Sequence, residues 1–140
     1  MIQLRKIALS ALAVFAFASC AASENSAATK STLEGKGFTV SVQSADAYKQ
    51  TPVGKLLKLD NLVDYLSATK VTADGESATA EGFFVWFMKD IDSASNFVSD
   101  NVRVISTLEE SVSGFSMGSR NNAAWCGTKA VAVSLGWTAA

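Results

Sequence analysis

Phe83-Phe84-Val85-Trp86-Phe87-Met88, set between Gly82 and the charged pair Lys89-Asp90, is the stretch that decides the fold. An unbroken apolar run this short and this rich in aromatics reads as a strand at the centre of a sheet, buried on both faces. Such a strand needs cover over each face. Upstream, Phe38, Val40 and Val42 alternate with Thr39, Ser41 and Gln43, which predicts a half-buried strand over 37–43 with one polar face. Thr69 to Ala73, followed by Asp74-Gly75-Glu76, predicts a strand running into a hairpin turn.

Helices are expected around this sheet. From Val53 the apolar positions 53, 56, 57, 59, 62, 63 and 66 fall near the spacing of one helical face, so an amphipathic core helix is predicted over 52–66. Lys55 and Lys58 lie early in that segment and Asp60 and Asp64 late. This order opposes the helix dipole, and the acids disfavour a helix lying on a membrane. Asp92 or Ser93 is placed to cap a second helix whose buried stripe is Ala94, Phe97, Val98, Val102 and Ile105. Val112 to Ser119 and Ala123 to Cys126 form a strand pair across Arg120-Asn121-Asn122. Thr128 caps a last helix over 129–135 that Gly136 stops, and Leu33 opens a turn of helix ended by Gly35 and Gly37. The expected architecture is α+β, in the order β-α-β-β-α-β-β-α: one domain over 32–140, with helices packed on one face of a mainly antiparallel sheet.

The N-terminus addresses localisation. Arg5 and Lys6 precede an apolar run from Ile7 to Ser19 that ends at Cys20, the pattern of a secretory signal over 1–19. At about 1.5 Å per residue the run spans roughly 20 Å, short of the roughly 30 Å hydrocarbon core, so no permanent membrane span is expected. Phe17-Ala18-Ser19-Cys20 resembles a bacterial lipobox, which implies cleavage before Cys20, diacylglycerol on its sulfur and an extracytoplasmic, lipid-anchored protein. Ala16-Phe17-Ala18 also fits ordinary secretion. In that case Cys20 and Cys126 form a disulfide, whereas an acylated Cys20 leaves Cys126 as a small buried apolar residue. Residues 20–31 carry small and polar side chains and read as a flexible tether.

Composition excludes several functions. The 140 residues contain no histidine, which removes Ser-His-Asp and Cys-His catalysis and His-containing metal sites. Loss of Arg5 and Lys6 with the signal leaves 10 basic against 13 acidic residues, a net of −3. That balance argues against nucleic acid and against electrostatic docking on anionic lipid. Asp90-Ile91-Asp92 begins like an EF-hand loop, but Ser95 and Asn101 stand where its glycine and bidentate glutamate belong, so helix capping is the expected role. Adjacent Glu109 and Glu110 point apart in a strand and make no catalytic pair. Gly35-Lys36-Gly37 is no phosphate cradle, and no cofactor is expected. Gly114 and Gly118, spaced as in helix-dimer motifs, lie in no apolar span and read as strand-bending positions.

The expected functional surface is aromatic. Phe84, Trp86 and Met88, together with Phe115, Met117 and Trp125 on neighbouring strands, would line an apolar surface for a ligand or an envelope protein. The alternative is that they fill the core. A non-enzymatic binding module is the leading expectation. A small secreted enzyme using carboxylates or a Ser-Lys pair, and an envelope subunit that self-associates, are the other two.

The signal ending at Cys20, Leu33-Glu34-Gly35-Lys36-Gly37-Phe38, the block from Gly82 to Ala94 and the closing Trp125-Cys126-Gly127-Thr128-Lys129-Ala130-Val131 together resemble small uncharacterised bacterial lipoproteins with a single α+β domain. The resemblance covers most of residues 20–137. It implies Cys20 as the lipid site and implies no activity.

Overall fold

The structure, a computed structural model, describes residues 23–108 and 114–139. The signal, Cys20 and the Glu109-Glu110 pair lie outside them, as do Val112 and Ser113 of the expected strand. The described elements are α1 (Ser26–Gly35), β1 (Thr39–Ser44), α2 (Ala45–Lys49), β2 (Leu62–Asp74), β3 (Ser77–Met88), α3 (Ile91–Leu108), β4 (Phe115–Arg120), β5 (Ala123–Thr128) and α4 (Lys129–Ser134). Five strands form one antiparallel sheet in the order β1-β2-β3-β5-β4, with β3 in the middle. The α+β class and the central strand are as the sequence predicts.

The two faces of β3 set the layers. Phe83, Val85 and Phe87 pack with Leu33 of α1 and with Val131 and Ala132 of α4. Trp86 and Met88 pack on the other face with Ala94, Phe97 and Ile105 of α3 and with Tyr48 of α2. Helices therefore cover both faces, not the single face expected. A sheet whose central strand is apolar on both sides exposes a greasy surface unless it is enclosed twice.

The expected helix over 52–66 is not formed. Residues 51–61 form turns and irregular backbone, and β2 begins at Leu62. Thr51 starts the turns, its hydroxyl donating to the Tyr48 carbonyl at 2.7 Å and accepting the Gly54 N–H at 3.0 Å. Leu62 and Leu66, spaced as on one helical face, are instead separated by a bulge between Leu62 and Asp64 in the pairing with β3. Beyond a bulge the side chains change face. Leu62 accordingly packs under α3 while Leu66 packs on the opposite face.

Residues 26–31, expected in the flexible tether, instead form the first turns of α1. Asn25 caps that helix by accepting the Ala28 N–H at 2.8 Å, and Leu33 buries its far end in the core. Gly37, at φ +93°, ends it, where the Phe38 and Gly37 N–H groups reach the Leu33 and Glu34 carbonyls. Asp90, not Asp92 or Ser93, caps α3, and the stripe of α3 includes buried Asn101 where exposed Val102 was expected. Thr128 precedes α4 as expected, yet its hydroxyl accepts the Gly82 N–H across the sheet instead of capping the helix.

Candidate functional site

The six aromatic and sulfur-bearing positions do not form one surface. Trp125 lies on the α1/α4 side, stacked on Phe83 at 5.6 Å between ring centroids. The other five lie on the α3 side. There Trp86 and Met88 are core: the Trp86 ring sits 4.9 Å from Phe97 and 5.4 Å from Tyr65. Phe84, Phe115 and Met117 are half-buried. Cys126 is buried in the same face, paired with Phe84 and Met117 across the strands, so a disulfide from Cys20 would have to enter the core beneath α3.

Half-buried Phe84 leads to a feature absent from the sequence reading. β1 pairs with β2 only as far as Thr69, and β5 pairs with β3 only as far as Phe83. Beyond them the ladder continues through Lys70↔Glu81, Val71↔Ala80, Thr72↔Thr79, Ala73↔Ala78 and Asp74↔Ser77 with no flanking strand. At about 3.3 Å per residue this two-stranded arm projects roughly 17 Å. Gly75, at φ +65°, turns its tip. The Lys70 amine braces its base, donating to the Lys36 carbonyl at 2.9 Å.

The pairs alternate in character. One face of the arm carries Lys70, Glu81, Thr72 and Thr79, and the other Val71, Ala80, Ala73 and Ala78. The apolar face is exposed, Val71 to 72%, and it continues through Gly82 to the Phe84 ring. It lies on the α3 side of the sheet, the side of Phe115 and Met117. A lone two-stranded ribbon is marginally stable, and both of its edges present unpaired backbone groups to an added chain. Only the register shows that both strands outrun their neighbours.

The opposite end of the sheet holds a polar knot. Asn122 accepts the Glu24 N–H at 2.6 Å and donates to the Glu24 and Met88 carbonyls, each at 3.1 Å. The Glu24 carboxylate accepts from Asn121 at 2.9 Å and lies 3.6 Å from the Arg120 guanidinium. An open cleft of about 500 Å³ adjoins the knot, lined by Ser23, Lys89, Asp90, Ile91, Asn121 and Asn122. Ninety-eight residues separate Glu24 from Asn122, so no local signal in the sequence marks this contact.

At the cleft edge Asp90 accepts the Ser93 N–H at 2.8 Å, and the Ser93 hydroxyl in turn accepts from Asn61 at 3.1 Å. The hydrogen bonds from the Ser93 side chain and backbone hold the Asp90 carboxyl below its ordinary value. A carboxylate depressed in the folded state stabilises fully above its unfolded pKa of about 4, and that stabilisation is lost as pH falls through the lower folded value. Asp90→Ala is therefore expected to lower stability at neutral pH and to flatten its dependence on pH in the acid limb, as read by thermal melts between pH 2 and 6. Equal acid limbs in the two proteins would refute the capping role.

Among the described residues no group of three or more acidic or cysteine side chains is placed to hold a metal ion, and no helix is long and apolar enough to cross a membrane. Two hydrogen-bonded lysines, Lys30 and Lys70, are engaged by Glu34 and by the Lys36 carbonyl, not by a serine. The fold and this arm define an α+β domain with a projecting ribbon. No family model, curated protein or solved structure matches the chain.

Proposed function

We propose that this chain is an exported protein, anchored to a bacterial membrane by diacylglycerol on Cys20, that works by binding and not by catalysis. Its partner is an extended segment of another extracytoplasmic protein. The observation that carries the reading is the arm over 70–81, polar on one face, small and apolar on the other, and unpaired along both edges. Ala73, Ala78 and Ala80 leave that face without bulky side chains, so a partner can approach the ribbon closely. The resemblance to small bacterial lipoproteins belongs to the same proposal and supplies Cys20 as its lipid site.

Two measurements test it. The mass of the mature protein from its membrane fraction is expected to show an N-terminal, diacylglycerol-modified Cys20, and Cys20→Ala is expected to move the protein to the soluble fraction. Cleavage after Ala18 with an unmodified thiol would sink the anchor. A photo-crosslinking residue at Ala80 is expected to give a discrete adduct with a different protein in intact envelopes, and the same residue at Thr79, on the polar face, none. An adduct at twice the chain's own mass would replace the partner with a second copy, and adducts from neither face would overturn the binding surface.

A further inference from the structure

We infer that the end of the domain formed by the Asn121-Asn122 turn and the start of α3 rests on the lipid headgroups, so that the arm points away from the membrane. The inference rests on the proposed acylation of Cys20 and adds to it an orientation and a contact face. Its starting point is the knot at Glu24, whose N–H and carbonyl are both held by Asn122 and whose carboxylate is held by Asn121 and Arg120. Cys20 is four residues upstream. Four residues reach at most about 14 Å even when fully extended. A headgroup layer takes up roughly 6 Å of that distance. The acyl chains therefore cannot enter the bilayer unless this end of the sheet lies within about 8 Å of the headgroup surface.

Side chains at this end suit such a position. Ile91, 49% exposed, projects from the first turn of α3, and Val63, 56% exposed, stands on the bulge of β2 beside the Leu62↔Met88 pair. Both are apolar groups that the core does not take up. Lys89 and Asp92 line the cleft beside Ile91 and Arg120 pairs with Glu24 in the knot, so the two signs of charge mix here, the face offers little electrostatic attraction to lipid and the acyl chains supply the affinity. From Met88 at this end to Ser77 at the arm tip, β3 spans roughly 36 Å at about 3.3 Å per residue. The apolar face of the arm is thereby lifted clear of the bilayer.

The test uses the full-length protein carrying acylated Cys20, first confirmed by mass, in vesicles of phosphatidylethanolamine and phosphatidylglycerol. An environment-sensitive fluorophore is attached at Ile91→Cys, at Val63→Cys as a second report from the same face, or at Ala78→Cys on the arm. Cys126 is buried, so the introduced thiol is the reactive one. Blue-shifted emission and quenching by headgroup-spin-labelled lipid are expected at positions 91 and 63, with no quenching at 78 beyond that of the lipid-free control. Equal quenching at all three positions, or stronger quenching at 78, overturns the orientation and leaves the anchor standing. A mature protein without acyl chains on Cys20 overturns the proposed anchor and this orientation together, and leaves the binding surface of the arm standing.

Discussion

Gly127→Ala is expected to unfold the domain at temperatures where the parent is fully folded. A Cβ at this position would lie 2.2 Å from the Gly82 carbonyl oxygen and 2.8 Å from the Phe83 Cα. Both atoms belong to the backbone of β3, the central strand, so no side-chain rotation relieves the overlap, and β5 would have to part from β3. Gly127 also holds φ +149°, where a side chain adds strain. Together these place the substitution in the exceptional class of about 4 kcal/mol or more. For a domain of this size that corresponds to a fall in Tm of roughly 20 °C. Gly75→Ala is the control: its φ of +65° is also costly, but nothing lies within 4 Å of the added carbon. Its expected cost is only about 1 kcal/mol. Equal losses in the two variants would refute the close approach of β5 to β3.

Asn101→Leu is expected to destabilise even though it adds apolar surface to the core. Asn101 is 2% exposed on the inner face of α3. Its side-chain oxygen accepts the Lys58 N–H at 2.8 Å, and its amide donates to the Lys58 and Phe97 carbonyls at 3.1 and 2.9 Å. Asn101 thus satisfies both backbone groups of Lys58, in a stretch where no strand ladder does so. Leucine fills a similar volume and leaves the Lys58 groups unpaired, at a cost of about 2–3 kcal/mol. The location of the loss is as diagnostic as its size. Amide hydrogen exchange is expected to accelerate first at Leu57, Lys58 and Leu59 and to leave the β3–β5 pairs protected. Uniform acceleration would mean that Asn101 contributes to global packing alone.

Neighbouring residues show what was legible in the sequence. The run from Phe83 to Met88 is apolar at every position, and only a central strand with two covered faces accommodates that. Asp74-Gly75 marked the hairpin because its turn needs a positive φ, which Gly75 adopts. Leu62 and Leu66 misled for an equally definite reason: four residues apart they would share one face of a helix, whereas the bulge sends them to opposite faces of the sheet. Of the candidate site, Trp86, Met88 and Trp125 proved to be core. Phe84, Phe115 and Met117 stay half-buried on the side where the apolar face of the arm begins.

By itself the sequence determined the strand at the centre, the hairpin and the α+β class, because each is written in the side chains of a few consecutive residues. Tertiary structure alone decided three further matters. It placed helices over both faces of the sheet, it ended β1 and β5 short of the hairpin tip, and it closed the Asn122 knot on Glu24. Each depends on where distant segments meet. Pairing register and long-range hydrogen bonds are set by the packing of the whole core, and no local pattern of residues encodes them.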